Sequence, residues 1–204
     1  MSGFLCLCVL LQAESIAGAA VENAPLHGDR SSSAWTVEQV VASLKDGHEP
    51  SVSFEEATYS SLLTEPLIVR GTLRFTPPST LEKEVLEPYR ERYVIEGDRV
   101  TFESERKHMK KTISLEDYPA LRSFVEAFRA SFTGDVAQLK KIYETTVEGT
   151  SHQWTLLLRP HDPTGKSMVD YLLLSGSEGR IATIAIRAPD GDRSVMTLRR
   201  GQSK

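Results

Sequence analysis

"PLIVRGTLRFTPPSTLEKEVLEP", residues 66–88, decides how the rest of the chain is read. Over its first half, apolar and polar residues alternate. Leu67, Val69, Gly71, Leu73 and Phe75 fall on one side, and Ile68, Arg70, Thr72, Arg74 and Thr76 on the other. Side chains in a strand alternate with period two, so the stretch is a strand with one greasy face and one wet face. Pro77-Pro78 breaks the ladder after Phe75 and marks a turn or strand edge. No nucleophile, metal ligand or phosphate cradle lies nearby, so the greasy face is either half of an ordinary core or a surface kept for an apolar guest.

The same β texture extends on both sides. "SVSFEEATY" precedes it from residue 51, and "TLEKEVLEP" and "RERYVIEGDRVTFES" follow, with Gly97-Asp98 as a two-residue hairpin signal. Residues 114–132, "SLEDYPALRSFVEAFRASF", switch to helical period, with Ser114 and Asp117 as a capping pair and Pro119 in the first turn. Leu121, Phe124, Val125, Phe128 and Phe132 form one stripe, holding three of the seven phenylalanines. After "TGDVAQLKK", a break with one more short helical turn, strands resume to the end with hairpin signals at Glu178-Gly179 and Asp190-Gly191. Upstream, Thr36 caps a short helix whose Val37, Val40, Val41 and Leu44 share a face, and "DGHEP" stops it. Nine or ten sequential strands form an antiparallel meander too wide to lie flat, so it is expected to curl into a barrel or half-barrel. The helices then have only its concave face on which to bury their stripes.

The 204 residues and 40% hydrophobic composition suit one globular domain with a real core, here placed at 35–200. A net charge of −4 argues against sequence-independent nucleic-acid binding, which wants clustered Lys and Arg. The basic run Arg106-Lys107-His108-Met109-Lys110-Lys111 reads as a solvated strand or turn, with docking to an acidic partner or membrane surface as the alternative. "FLCLCVLL", Phe4–Leu11, is too short to span a bilayer and precedes the A-x-A-like Ala17-Gly18-Ala19, the layout of a secretory signal peptide over residues 1–20, although no Lys or Arg precedes the run. Residues 21–34 form a polar linker. Cleavage near residue 20 would remove both cysteines, Cys6 and Cys8, leaving an exported protein with neither disulfide nor thiolate zinc site.

Catalytic patterns fail on spacing. "TGKS", 164–167, has Pro160 where a phosphate loop needs glycine, "SGSEG" is not a nucleophile elbow, and the five histidines are scattered. Glu55-Glu56 and Glu82, Glu84 and Glu87 read as wet strand faces. Trp154, Leu156 and Leu158, followed by Val169, Tyr171 and Leu173, add inward bulk. Core packing explains each of these singly. Together, a wide curled sheet, a Phe-rich helix, export and no catalytic constellation point to a lipid-sized cavity. Its expected lining is Phe54, Val69, Gly71, Leu73, Phe75, Tyr93, Phe102, Leu121, Phe124, Phe128, Phe132, Trp154 and Tyr171. Gly71 is expected to leave room where an acyl chain could lie.

The order of these features resembles the periplasmic lipoprotein carriers of the LolA family, and more closely a divergent LolA-related branch. The resemblance rests on the helix from Trp35, the strand around Phe54, the quoted stretch 66–88, "YVIEGDRV", the helix from "SLEDYPAL" and the closing "DRSVMTL". It implies an incomplete, strongly curved antiparallel β-barrel closed by an α-helical lid over an apolar cavity. It also implies a non-catalytic, cofactor-free monomer carrying lipoprotein acyl chains or a glycolipid from an inner-membrane exporter to an outer-membrane acceptor. A lipid- or lipoprotein-sensing interaction domain is the alternative, and a lipid-modifying hydrolase would need a nucleophile–base pair that the sequence does not offer. One departure stands out. Where the family has an Arg-Pro pair whose Arg helps to hold the lid, this chain has Pro77-Pro78.

Overall fold

The computed structural model describes residues 35–47, 50–77 and 79–200. The expected signal peptide, the linker and Pro78 lie outside them. The first helix, α1 (Val37–Gly47), opens with a reciprocal cap: the Gln39 N–H donates to Thr36 Oγ1 (3.4 Å) and the Thr36 N–H to Gln39 Oε1 (2.9 Å). Its Val37, Val40, Val41 and Leu44 are all buried.

Strands β1 (Ser51–Tyr59), β2 (Leu67–Thr76), β3 (Thr80–Glu87), β4 (Glu91–Glu96), β5 (Arg99–Ser104) and β6 (Met109–Ser114) meander outward to one edge of a single sheet. The chain then crosses through a 3-10 turn (Leu115–Asp117), α2 (Pro119–Thr133) and α3 (Val136–Ile142) to the opposite edge. There β7 (Tyr143–Thr150), β8 (Gln153–Pro160), β9 (Tyr171–Ser177), β10 (Arg180–Arg187) and β11 (Arg193–Arg200) meander back until β11 pairs with β1. A helical turn, α4 (Pro163–Lys166), links β8 to β9 and holds most of "TGKS"; Asp162 caps the turn by accepting from the Gly165 N–H at 2.8 Å. The order β6-β5-β4-β3-β2-β1-β11-β10-β9-β8-β7 is antiparallel throughout and not closed. The eleven strands among the described residues exceed the expected nine or ten.

Alternation places the faces. Gly71, Leu73 and Phe75 are buried while Ile68, Arg70, Arg74 and Thr76 are exposed, as the greasy and wet faces of the quoted stretch predict. The convex face carries cross-strand ion pairs, Arg70–Glu55 and Arg92–Glu82 at 2.7 Å each. On the concave side, the buried apolar residues fall into two clusters rather than one. The first joins α1, Ala127 and Ala130 of α2, Leu139 of α3 and the inner residues of β8 and β9. The second joins Phe54, the inner residues of β2 to β5, and Leu121 and Val125 of α2.

Two expectations need correcting. On β9 the inward residues are Leu172 and Leu174, whereas Tyr171 faces outward, with the Arg159 guanidinium carbon 5.3 Å from its ring. Val169 is buried but precedes the strand, so counting alternation from it shifts the register by one residue and turns every side chain over. Gly71, for its part, leaves no room for a guest. The register between β2 and β3 slips between Arg70 and Gly71, and a Cβ at Gly71 would lie 1.8 Å from the Glu84 carbonyl oxygen. The missing side chain admits the neighbouring backbone at a bulge. Gly71→Ala is therefore expected to cost about 3 kcal/mol in urea unfolding, the upper end for overpacking. Open space at this position would instead make the substitution neutral or slightly stabilising.

Candidate functional site

The concave face has a roof and a floor. The roof is α2, whose helical period is set by the stripe Leu121, Phe124, Val125, Phe128 and Phe132. The helix ends where Gly134 adopts the left-handed conformation (φ +87°), and its N–H donates to the Ala130 carbonyl at 3.1 Å. Asp135 then caps α3, accepting from the Gln138 N–H at 2.9 Å. Leu121 and Val125 are buried, but Phe124, Phe128 and Phe132 stay partly exposed although they point at the sheet. Large apolar side chains on the inward stripe of a helix ordinarily seal against their neighbours. Phe124 and Phe128 instead face a cavity of about 170 Å³.

The cavity lies between the two core clusters, which Phe124, Ile181 and Ile186 bridge. Leu158, Leu172 and Leu174 of the first line one side, and Leu73, Leu81, Tyr93, Ile95 and Val100 of the second line the other. Its floor is made by the central strands: Glu56 and Thr58 of β1, Ser194 and Met196 of β11, Ile184 and Ile186 of β10. A second cavity of about 290 Å³ lies against Val52, Phe75, Phe132, Leu198, Arg199 and Arg200. Leu73 and Phe128 border both. Three rings cluster at this junction: Phe75 with Phe132 (centroids 5.1 Å apart), Phe128 with Phe132 (4.7 Å) and Phe75 with Phe128 edge-on (6.3 Å).

Of the residues expected to line a cavity, Leu73, Tyr93, Leu121, Phe124 and Phe128 reach the first, and Phe75 and Phe132 the second. The others lie elsewhere. Phe54 is buried beneath the Lys83 ammonium, which sits 5.2 Å from its ring centroid. Phe102 stacks on Tyr93 with centroids 4.9 Å apart, and Val69 packs half-buried at the margin of the second cluster. Trp154 is fully buried in the first cluster, where a Cβ on Gly176 would approach its ring to 2.6 Å. Gly71 and Tyr171 belong to the bulge and the convex face.

The site also contains polar residues that were not anticipated. Glu56 shares the inward face with Phe54 and Thr58, so it is not part of a wet face; its side chain is 8% exposed. It pairs with Lys83, 17% exposed, which reaches across from β3. Alternation counted from Phe54 signals the position of Glu56, but no one-dimensional pattern announces the long-range pairing. Glu82 and Glu84 do face the other way, and Glu82 meets Arg74 and Arg92.

Arg129 flanks the apolar stripe of α2. Its Nε and Nη2 donate to the Ser79 carbonyl at 3.1 and 2.9 Å, and Nη2 also donates to the Gly97 carbonyl at 2.5 Å. The roof is thereby tied to the β2–β3 and β4–β5 turns. Partial burial pulls the guanidinium pKa down, with Glu126 opposing. The group remains a cation, and the three carbonyl contacts offset its desolvation. Sequence position pointed to the missing Arg at Pro77-Pro78; the structure brings an Arg to the same turn from the helix. The histidines stay apart, His152 beside Glu178 at 3.6 Å and His161 beside the Lys140 carbonyl at 3.2 Å. Among the described residues no cluster of three or more His, Cys, Asp or Glu could hold a metal ion, and no helix is long and apolar enough to cross a membrane.

No curated protein matches the chain. Among solved structures it is similar to a LolA superfamily protein from Nitrosomonas europaea (11% identity, 81% of this chain and 92% of that one, TM-score 0.44). It is also similar to the Pseudomonas aeruginosa MucA/MucB complex (11% identity, 80% and 56%, TM-score 0.43) and to LprF from Mycobacterium bovis (12% identity, 80% and 91%, TM-score 0.35). The sequence matches the family described as "outer membrane lipoprotein carrier protein LolA-like" over residues 29–203. The chain belongs to this LolA-like family.

Proposed function

We propose that this protein is a non-catalytic periplasmic carrier that holds acyl chains of a lipoprotein or glycolipid beneath α2 while they pass between the inner and outer membranes. The observation that carries this reading is the partly exposed Phe124 and Phe128, which face an apolar cavity flanked by the two core clusters. A sealed domain would bury the rings. Each methylene removed from water is worth about 0.8 kcal/mol, so a sixteen-carbon chain represents on the order of 12 kcal/mol. A carrier must offer comparable apolar surface and hide it when empty.

The first cavity is close to the roughly 150 Å³ that accommodates a benzene ring. A long chain therefore needs more room than the closed molecule offers. Phe128 stands at the wall common to both cavities, and its displacement with α2 joins them into one path. Arg129 grips the turns that this movement must leave. Loading thus exchanges three charge-assisted hydrogen bonds and a Phe cluster for contacts with the chain.

Competition of C8 to C18 fatty acids with a fluorescent fatty acid tests the reading. The wild type should bind with affinity that rises with chain length, and an absence of binding at every length would refute the proposal. Leu73→Trp places bulk at the junction of the cavities, so it should weaken C16 far more than C8, while stability changes by only about 1 kcal/mol, a melting shift of a few degrees. Uniform binding with clear destabilisation would make the face a plain core.

Arg129→Ala should free the roof. Amide exchange along α2 is expected to quicken while β1, β2 and β11 stay protected, and lipid uptake should be several-fold faster. Global stability should fall by about 1.5–3 kcal/mol, the range for a hydrogen bond to a charged group. Unchanged exchange in α2 would show that the contact holds nothing.

A further inference from the structure

The floor of an otherwise apolar cavity contains four polar side chains in one patch. Glu56 and Thr58 are successive inward residues of β1, Ser194 lies directly opposite Thr58 on β11, and Lys83 reaches Glu56 from β3. Thr58 is 3% and Ser194 4% exposed, yet both line the cavity, and neither hydroxyl is hydrogen-bonded among the described residues. Both hydroxyls keep surface open to the cavity, so a guest that fills it must either hydrogen-bond or desolvate them. Ser131 on the roof is different, because its hydroxyl donates to the Ala127 carbonyl at 2.9 Å.

The chemistry of the patch defines that partner. The carboxylate and ammonium neutralise each other, so the site favours neither an anion nor a cation; either would set one like charge against it. Glu56 can only accept, Lys83 can only donate, and the two hydroxyls do both. A group that donates and accepts at once satisfies more of the patch than an ester carbonyl, which only accepts. A bare hydrocarbon chain satisfies none of it and strips away water that would otherwise solvate these atoms. We propose that this patch recognises an uncharged hydroxyl substituent on the buried acyl chain, so that the cavity prefers hydroxylated acyl chains to plain ones. The inference rests on the acyl-carrier reading above and names the cargo class within it.

The test uses the full protein with palmitic acid and a set of hydroxypalmitic acids bearing the hydroxyl at C2, C3, C12 or C16, each displacing the uncharged probe N-phenyl-1-naphthylamine. At least one positional isomer should bind about tenfold more tightly than palmitic acid, a difference of about 1.4 kcal/mol. In Thr58→Val/Ser194→Ala, whose substitutions keep the volumes close, the ratio of that isomer to palmitic acid should fall to near one. Single Thr58→Val, with folding checked by circular dichroism, carries the same expectation in part should the double variant not fold. Wild-type binding of palmitic acid with no isomer preferred would overturn this inference and leave the carrier reading standing. A preference that survives intact in the variants would also overturn it, since the hydroxyls would then not be its source. Failure of the wild type to bind any of these acids would overturn both.

Discussion

Everything in this molecule follows from where the chain must travel between β6 and β7. These are the two edges of the sheet, ten places apart in strand order, and the link between them runs through the 3-10 turn, α2 and α3. An antiparallel sheet of this width twists and curls, which gives it one apolar concave face and one charged convex face. The crossing helices are drawn over the concave face because that is where their phenylalanines lose water. One fifteen-residue helix cannot fill so wide a hollow. It packs by its small and slender residues, Ala127 and Ala130 on one flank and Leu121 and Val125 on the other, and the space between becomes the cavity.

This arrangement explains why roof and floor are polar at so few points. Along the roof, Arg129 binds backbone carbonyls of two turns, groups that any sequence at those turns would provide. Such a tie is strong enough to place the helix, and water can replace it at the rim when the helix moves. On the floor, the Glu56–Lys83 pair costs desolvation that a pair of leucines would avoid, and buried pairs of this kind are often neutral or unfavourable to stability. A fold that needed only a core would have no use for it, nor for the open hydroxyls of Thr58 and Ser194 beside it. The polar patch and the partly exposed Phe124 and Phe128 face the same space.

Much of the architecture was legible in the sequence because period-two and period-3.6 patterns are local. The faces of β2, the Gly97-Asp98 turn between β4 and β5, the cap at Thr36 and the stripe of α2 all depend on residues within a few positions of one another. The misreadings share a different cause. Tyr171-Leu172-Leu173-Leu174 is apolar on both faces, so alternation cannot set its register, and the preceding turn of α4 moves Val169 out of the strand. Gly71 marks a bulge that only the pairing with β3 reveals. Trp154 was rightly placed inward, but whether an inward residue meets a neighbour or a void depends on the helix above it, here α1. Glu56, Lys83 and Arg129 find their partners across 27, 27 and 50 residues of chain, beyond the reach of any spacing rule.

The most direct measurement is a crystal structure of the protein soaked with, or purified in the presence of, a long-chain fatty acid brominated near its methyl end. The account places the anomalous bromine signal between α2 and the floor formed by β1, β10 and β11, with Phe128 displaced from Phe75. A bromine signal confined to the convex face or to the edge strands β6 and β7, with the cavity unchanged, would contradict it.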